Sequence, residues 1–139
     1  MTTPRMQDDC MDAGGRATQG AVAEAEQRME QLPRHGDLVT IALQGTYGKP
    51  RPALIVQSDL FSEHPSVTIL PVTSDLRGTP LFRIPIKPGE SNGLRKMSEV
   101  MVDKVQTVPR EKIGAVFGRI AEEDMLAINR TLAVFLGVV

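Results

Sequence analysis

Leu81-Phe82-Arg83-Ile84-Pro85-Ile86-Lys87 alternates without a break: Phe82, Ile84 and Ile86 face one way, Arg83, Pro85 and Lys87 the other. Successive side chains of a strand point to opposite faces, so a period of two reads as a half-buried β-strand. Pro85 has no backbone N–H to give to a ladder, which assigns this strand to a sheet edge. Similar short apolar runs lie on both sides, punctuated by Gly and Pro. Upstream are Leu38–Leu43, Pro52–Gln57 and Val67–Thr73, with a Gly-rich loop over 44–50 between the first two. Pro71 inside the third run predicts an edge or a bulge. Downstream, Glu99–Val108 reads as a fifth run in which Val100 and Val102 share a face but Val105 has changed parity. A bulge near Asp103-Lys104 accounts for that shift, and bulges often re-aim side chains beside functional sites. Ile113–Ile120 supplies a sixth strand.

The period changes at the C-terminus. Met125, Ile128, Leu132, Phe135 and Leu136 are spaced by three and four, one face of an α-helix. Glu122, Glu123 and Asp124 fall in its first turn, where the helix dipole favours anions, and Gly137 is placed to stop it. No internal repeat is present. The expected fold is mainly β with an α element: a small, strongly bent antiparallel sheet or barrel closed by a C-terminal helix.

The 139 residues suit one domain with an extension, divided near Pro33. Residues 1–16 are polar and without period, and read as disordered. Residues 17–32 are rich in Ala, Glu, Gln and Arg, so they predict a helix, but Val22, Met29 and Leu32 give it only a thin apolar stripe. The extension carries a charge balance of −3 and residues 33–139 one of +2, within a net charge of −1. A balance of +2 favours nucleic acid only if the cations share a face. The single cysteine, Cys10, forms no internal disulfide and has no metal-ligand neighbours. No run approaches the roughly 18 apolar residues of a membrane span, and the N-terminus lacks a signal-peptide core, so a soluble cytoplasmic chain without a membrane partner is expected.

The chain lacks a Gly-x-Ser-x-Gly elbow, a phosphate-binding Gly loop ending in Lys-Ser/Thr, and any Cys/His cluster. His35 and His64 could form an acid–base pair, but two exposed histidines is the simpler reading. Lys49 and Arg51 lie in a loop stiffened by Pro50 and Pro52, and Pro52 biases Arg51 toward extended backbone. A guanidinium presented in this way suits a phosphate, because its planar fork donates two hydrogen bonds. An exposed arginine paired with a surface carboxylate fits the same residues. Thr73 and Ser74 close a strand and enter a loop. Their hydroxyls can hold a phosphate oxygen or satisfy their own turn. Asp103 and Lys104 sit amid valines. Arg77, Arg83, Lys87, Arg95 and Lys96 add positive charge that would bind a nucleic-acid backbone if gathered in one groove.

Taken together, these segments resemble the MazF/PemK (Kid) family of toxin endoribonucleases over roughly Gly36–Val138. The resemblance rests on Gly36-Asp37-Leu38-Val39, then Arg51-Pro52-Ala53-Leu54-Ile55-Val56-Gln57, then Pro71-Val72-Thr73-Ser74. It continues through Met101-Val102-Asp103-Lys104-Val105-Gln106-Thr107-Val108 to Phe135-Leu136-Gly137. Each block is short, but the order and spacing are specific. The resemblance implies an SH3-related CcdB/PemK barrel working as a homodimer. It also implies cleavage of single-stranded RNA without metal or cofactor, and neutralisation by a cognate antitoxin. The family's catalytic arginine before proline falls on Arg51 and its catalytic threonine on Thr73. Some members use an Arg-x-Asp pair in the fifth strand. Asp103 matches the Asp but Met101 stands at the Arg position, which shifts weight to Arg51 and Thr73 and leaves Asp103 as the candidate base. Lys49, Ser74, Arg77, Arg83 and Lys104 are expected to hold substrate.

Two further readings compete. A gyrase poison of the CcdB kind shares the fold but acts through a Trp near the C-terminus, and this chain has no Trp. A non-catalytic RNA- or protein-binding barrel would bind RNA without cutting it. The resemblance does not cover residues 1–32, which are read either as a dispensable extension or misassigned start, or as an acidic segment that damps activity.

Overall fold

The computed structural model describes residues 32–42 and 49–139. The polar start, the helix expected over 17–32 except for Leu32, and the Gly-rich loop except for Lys49 and Pro50 lie outside the described residues. The described elements, in order, are β1 (Asp37–Ile41), β2 (Arg51–Ile55), β3 (Ser66–Thr73), β4 (Arg83–Ile86), β5 (Ser98–Met101), β6 (Gln106–Pro109), β7 (Ile113–Arg119) and α1 (Glu122–Phe135). Short 3₁₀ turns stand at Asp59–Phe61, Val102–Lys104 and Arg110–Lys112. The strands make one antiparallel sheet in the order β4-β5-β3-β2-β1-β7, with β6 also paired to β3. β4 is an edge strand, as Pro85 requires.

The fifth apolar run is two strands rather than one strand with a bulge. β6 pairs with the first half of β3 (Ser66 opposite Pro109, Ile69 opposite Gln106), and β5 pairs with its end (Val72 opposite Val100, Thr73 opposite Glu99). The two ladders differ in register by three residues, the length of the Val102–Lys104 turn. An odd number of residues leaving the strand inverts the alternation, which is the physical cause of the parity change at Val105. Pro71 is likewise not on an edge: β3 is the central strand. Leu70 and Pro71 fall between the β6 and β5 ladders, where a missing donor interrupts least.

Both faces of the sheet are covered. Leu38, Leu54, Leu70, Val72, Ile86, Val100 and Val102 pack with Ile120 and with Met125 and Ile128 of α1. The alternate residues Val39, Ile41, Ala53, Ile55, Val67, Ile69 and Val108 form a second buried cluster. Two buried faces on the same strands require the sheet to roll around the second cluster while the helix covers the first. Each fully buried Leu or Ile contributes about 1.5–3 kcal/mol. The helix stripe is buried only in its first half: Leu132 is half-buried, but Phe135 and Leu136 are 48% and 54% exposed. Val138 N–H donates to Ala133 O (2.8 Å) and Gly137 N–H to Val134 O (3.0 Å), with Gly137 at φ +74°, a Schellman stop.

The β4–β5 connection folds back onto β7. Asn92 ties it together, its Nδ2 donating to Lys87 O (2.8 Å) and its Oδ1 accepting from Gly89 and Leu94 N–H (3.0 Å each). Ser91 O then accepts from Arg119 N–H (2.8 Å). The approach is so close that a Cβ at Gly118 would overlap the Asn92 carbonyl, which is backbone and cannot rotate away. Gly118→Ala is therefore expected to destabilise the domain by about 2 kcal/mol, in the range of overpacked sites. A melting scan should show Tm lowered by roughly 10 °C.

Candidate active site

Arg51 opens β2 and is exposed; Pro52 follows it. The β2–β3 ladder sets Ala53 opposite Pro71 and ends there; Arg51 and Thr73 each lie two residues beyond that pair, so alternation puts both on the face of Ala53 and Pro71. Thr73 in turn lies opposite Glu99 of β5. Residues opposite one another in an antiparallel ladder project from the same face. Arg51, Thr73 and Glu99 thus share a face, the one that carries the second cluster through Ala53, Ile55 and Ile69. Arg51 and Thr73, two of the three catalytic residues expected from the sequence and 22 positions apart in the chain, lie on the same face of neighbouring strands.

Thr73 Oγ1 accepts a hydrogen bond from Asp75 N–H (3.0 Å). A hydroxyl carries one proton and two lone pairs, so this bond occupies an acceptor position and leaves the proton available to donate. The loop beyond contains exposed Ser74 and the Asp75–Arg77 pair. Arg77 Nε and Nη2 both reach Asp75 Oδ2 (3.2 and 3.0 Å). An exposed pair of this kind holds by at most about 1 kcal/mol and a phosphate can displace it.

Glu99 is the residue that sequence reasoning missed. Only 4% exposed, it accepts from Arg77 N–H at Oε1 (3.0 Å) and from Gly78 N–H at Oε2 (3.1 Å). Arg83 of β4 lies 3.6 Å from Oε1, its side chain only 11% exposed. The Arg77 N–H foremost, with Gly78 N–H and the Arg83 charge, holds the Glu99 carboxyl below its ordinary 4.5, against burial, which raises it. A glutamate alternating with inward valines reads as a solvent-facing residue. The usable signal was Arg83, one strand away and equally out of place. Arg83, expected to hold substrate, is instead committed to Glu99.

The other expected residues are dispersed. Lys49 is exposed at the foot of β2, and Lys104 is exposed at the end of the Val102–Lys104 turn. Asp103, in the same turn, is partly buried, and its Oδ1 accepts no hydrogen bond among the described residues. The turn packs against α1, β3 and β4. The two histidines serve other segments. His35 N–H donates to Asp59 Oδ1 (2.8 Å), and His64 Nδ1 accepts from Ser66 N–H (3.0 Å). His64 precedes the start of β3 while Thr73 ends it, and the eight-residue strand between them runs about 23 Å. That distance removes His64 from any chemistry at Thr73. Among the described residues no group of three His, Cys, Asp or Glu side chains is placed to hold a metal ion, and no helix is long and apolar enough to cross a membrane.

Residues 34–136 match the PemK-like, MazF-like toxins of type II toxin–antitoxin systems, and the chain belongs to this family. It is 48% identical over 106 residues to a probable endoribonuclease MazF of Mycolicibacterium smegmatis, covering 76% of this chain and 97% of that protein. Among solved structures it is similar to the Mycobacterium tuberculosis toxin MazF-mt6, with a TM-score of 0.62, 25% identity, and coverage of 73% of this chain and 96% of that one. MazF from Deinococcus radiodurans shares the fold, with a TM-score of 0.63, 21% identity, and coverage of 76% and 97%.

The state of Glu99 has a definite pH sign. Its folded value lies below 4.5, so the stabilisation it gives is complete above the ordinary carboxylate range and is lost as pH falls through the folded value. An NMR titration should find the Glu99 carboxyl midpoint below 4.5, with the Arg77 and Gly78 amide shifts following it. A midpoint at or above 4.5 would contradict the geometry described.

Proposed function

We propose that residues 33–139 form a toxin domain, with 1–32 an extension, that cleaves single-stranded RNA through the RNA's own 2′-hydroxyl. The observation that carries the reading is Arg51 on the same sheet face as a Thr73 hydroxyl whose proton is free to donate, on neighbouring strands of a chain nearly half identical to a probable endoribonuclease. In this reaction the 2′-OH loses its proton, the 2′-oxygen bonds to phosphorus, and the bond to the 5′-oxygen breaks. The products are a 2′,3′-cyclic phosphate and a 5′-hydroxyl, the latter taking up the proton. Arg51 and Thr73 donate to the phosphorane oxygens as charge develops there. Ser74, Lys49, Lys104 and an Arg77 released from Asp75 contact flanking phosphates.

Two carboxylates compete for the role of base. Both oxygens of Glu99 are occupied by N–H donors and its affinity for a proton is lowered, so it is a poor acceptor. Asp103 has Oδ1 buried and without a hydrogen-bond partner among the described residues, and we assign the proton to it on the family resemblance, with RNA binding required to uncover that oxygen. The family's description as toxins of toxin–antitoxin systems supports a cognate antitoxin as partner and the cytoplasm as the place of action. The exposed Phe135, Leu136, Val138 and Val139 supply apolar surface of the kind that a homodimer would cover.

The test is incubation of the full chain with a long single-stranded RNA in EDTA. Cleavage ending in 2′,3′-cyclic phosphate is expected. Arg51→Ala should lower kcat by about 10²–10³, the loss typical of one oxyanion donor. Thr73→Ser should retain most of the activity that Thr73→Val loses. Asp103→Asn should lower kcat by about 10²–10⁴. A wild type that leaves every RNA intact would overturn the reading.

A further inference from the structure

We infer that Glu99 is a positioning residue of the RNA-cleaving site, the clamp that fixes the loop following Thr73; the inference rests on the functional reading above. β3 ends at Thr73, and residues 74–80 form no strand. The anchor of this segment comes from the neighbouring strand. Glu99 is paired through its backbone with Thr73, and its side chain reaches over to take the N–H groups of Arg77 and Gly78, one on each oxygen. Gly78 sits at φ +65°, a left-handed conformation that glycine adopts without strain. The result is a closed circuit: Thr73 backbone, the loop to Gly78, the Glu99 carboxylate, the Glu99 backbone, and Thr73 again. Within it Asp75 is held where its N–H meets Thr73 Oγ1 and fixes which way that hydroxyl donates.

The clamp requires a carboxylate of this length. A glutamine offers one acceptor oxygen and an NH₂ group, so one backbone N–H would face another donor. It would also leave the Arg83 guanidinium, nearly buried, without its counter-charge. An aspartate is one methylene too short to reach both amides from the same strand position. Glu99 touches no RNA in this scheme. It acts through Thr73, so its loss should fall on the transition state more than on binding, because the flexible Arg77 side chain can still reach a phosphate.

The experiment compares wild type, Glu99→Gln and the double variant Glu99→Gln/Arg83→Leu, which removes the stranded charge should the single variant fail to fold. Amide exchange at Arg77 and Gly78 without RNA reads the clamp. Initial rates on a long single-stranded RNA read its effect. Exchange at the two amides is expected to rise at least tenfold, with kcat down ten- to a hundredfold and KM changed less than threefold. Unchanged exchange would overturn the clamp. Faster exchange with unchanged kcat would overturn its role in catalysis, as would a fall in kcat no larger than the loss of folded protein. A wild type that cleaves no RNA while its Arg77 and Gly78 amides stay protected would sink the functional reading, and the catalytic meaning of the clamp with it, but leave the clamp standing.

Discussion

The side of β3 opposite β2 is divided between two strands, and the rest of the domain follows from that division. β6 takes its first half and β5 its end, with three residues turned out of the sheet between them. Because three is odd, the strands on either side of the turn contribute to opposite faces. Val100 and Val102 go to the cluster under the helix, and Val108 to the cluster inside the rolled sheet. The same offset sets Glu99 directly beside Thr73. A two-residue turn would keep the parity and place the valines of β5 and β6 on one face, leaving the other underfilled.

Arg51, Thr73 and Glu99 share a face at the end of β3 where the second cluster gives out. Val67, Ile69 and Ala53 are buried on this face, and past Pro71 the same face turns polar. The buried core and the proposed site therefore share strands, with Arg51 and Thr73 outside the buried cluster. The buried part fixes the register, and the register aligns the polar ends. A site on strand termini that are rigidly paired needs few contacts of its own to hold its geometry.

Local patterns made the elements legible. Phe82, Ile84 and Ile86 announced β4, Pro85 placed it at an edge, and Met125, Ile128 and Leu132 announced the helix. The errors share one cause. Pro71 and the parity change at Val105 were both correct as local signals, but their meaning depended on which strand lay alongside, which no local pattern contains. Phe135 and Leu136 continue the helical stripe past the surface it covers, so periodicity overstated the buried length. At the site, Arg51 and Thr73 could each be read as ordinary surface residues. Their order within a whole-domain pattern singled them out, and only the register shows that they lie on one face of neighbouring strands. Glu99 and Arg83 are legible only as a pair, since each alone looks like a solvent-facing charge.

The electrostatics also differ from what a count of charges suggests. Residues 33–139 carry a balance of only +2, and much of the cationic charge is committed internally. Arg83 is held by Glu99, Arg119 by Asp37 (2.6 Å), and Arg77 by Asp75, while Arg110 Nε donates to His64 O (2.7 Å). The Arg119–Asp37 and Arg83–Glu99 pairs tie strands together, and breaking either would leave a mostly buried carboxylate without its partner. The Arg77–Asp75 pair is at the surface, and it lies within the loop that leaves Thr73. A long-range field is therefore a weak means for this domain to gather RNA. In the proposed site, recognition would rest on a few placed donors at the end of β3, and the precision of their placement would take the role that charge density has in a strongly basic protein.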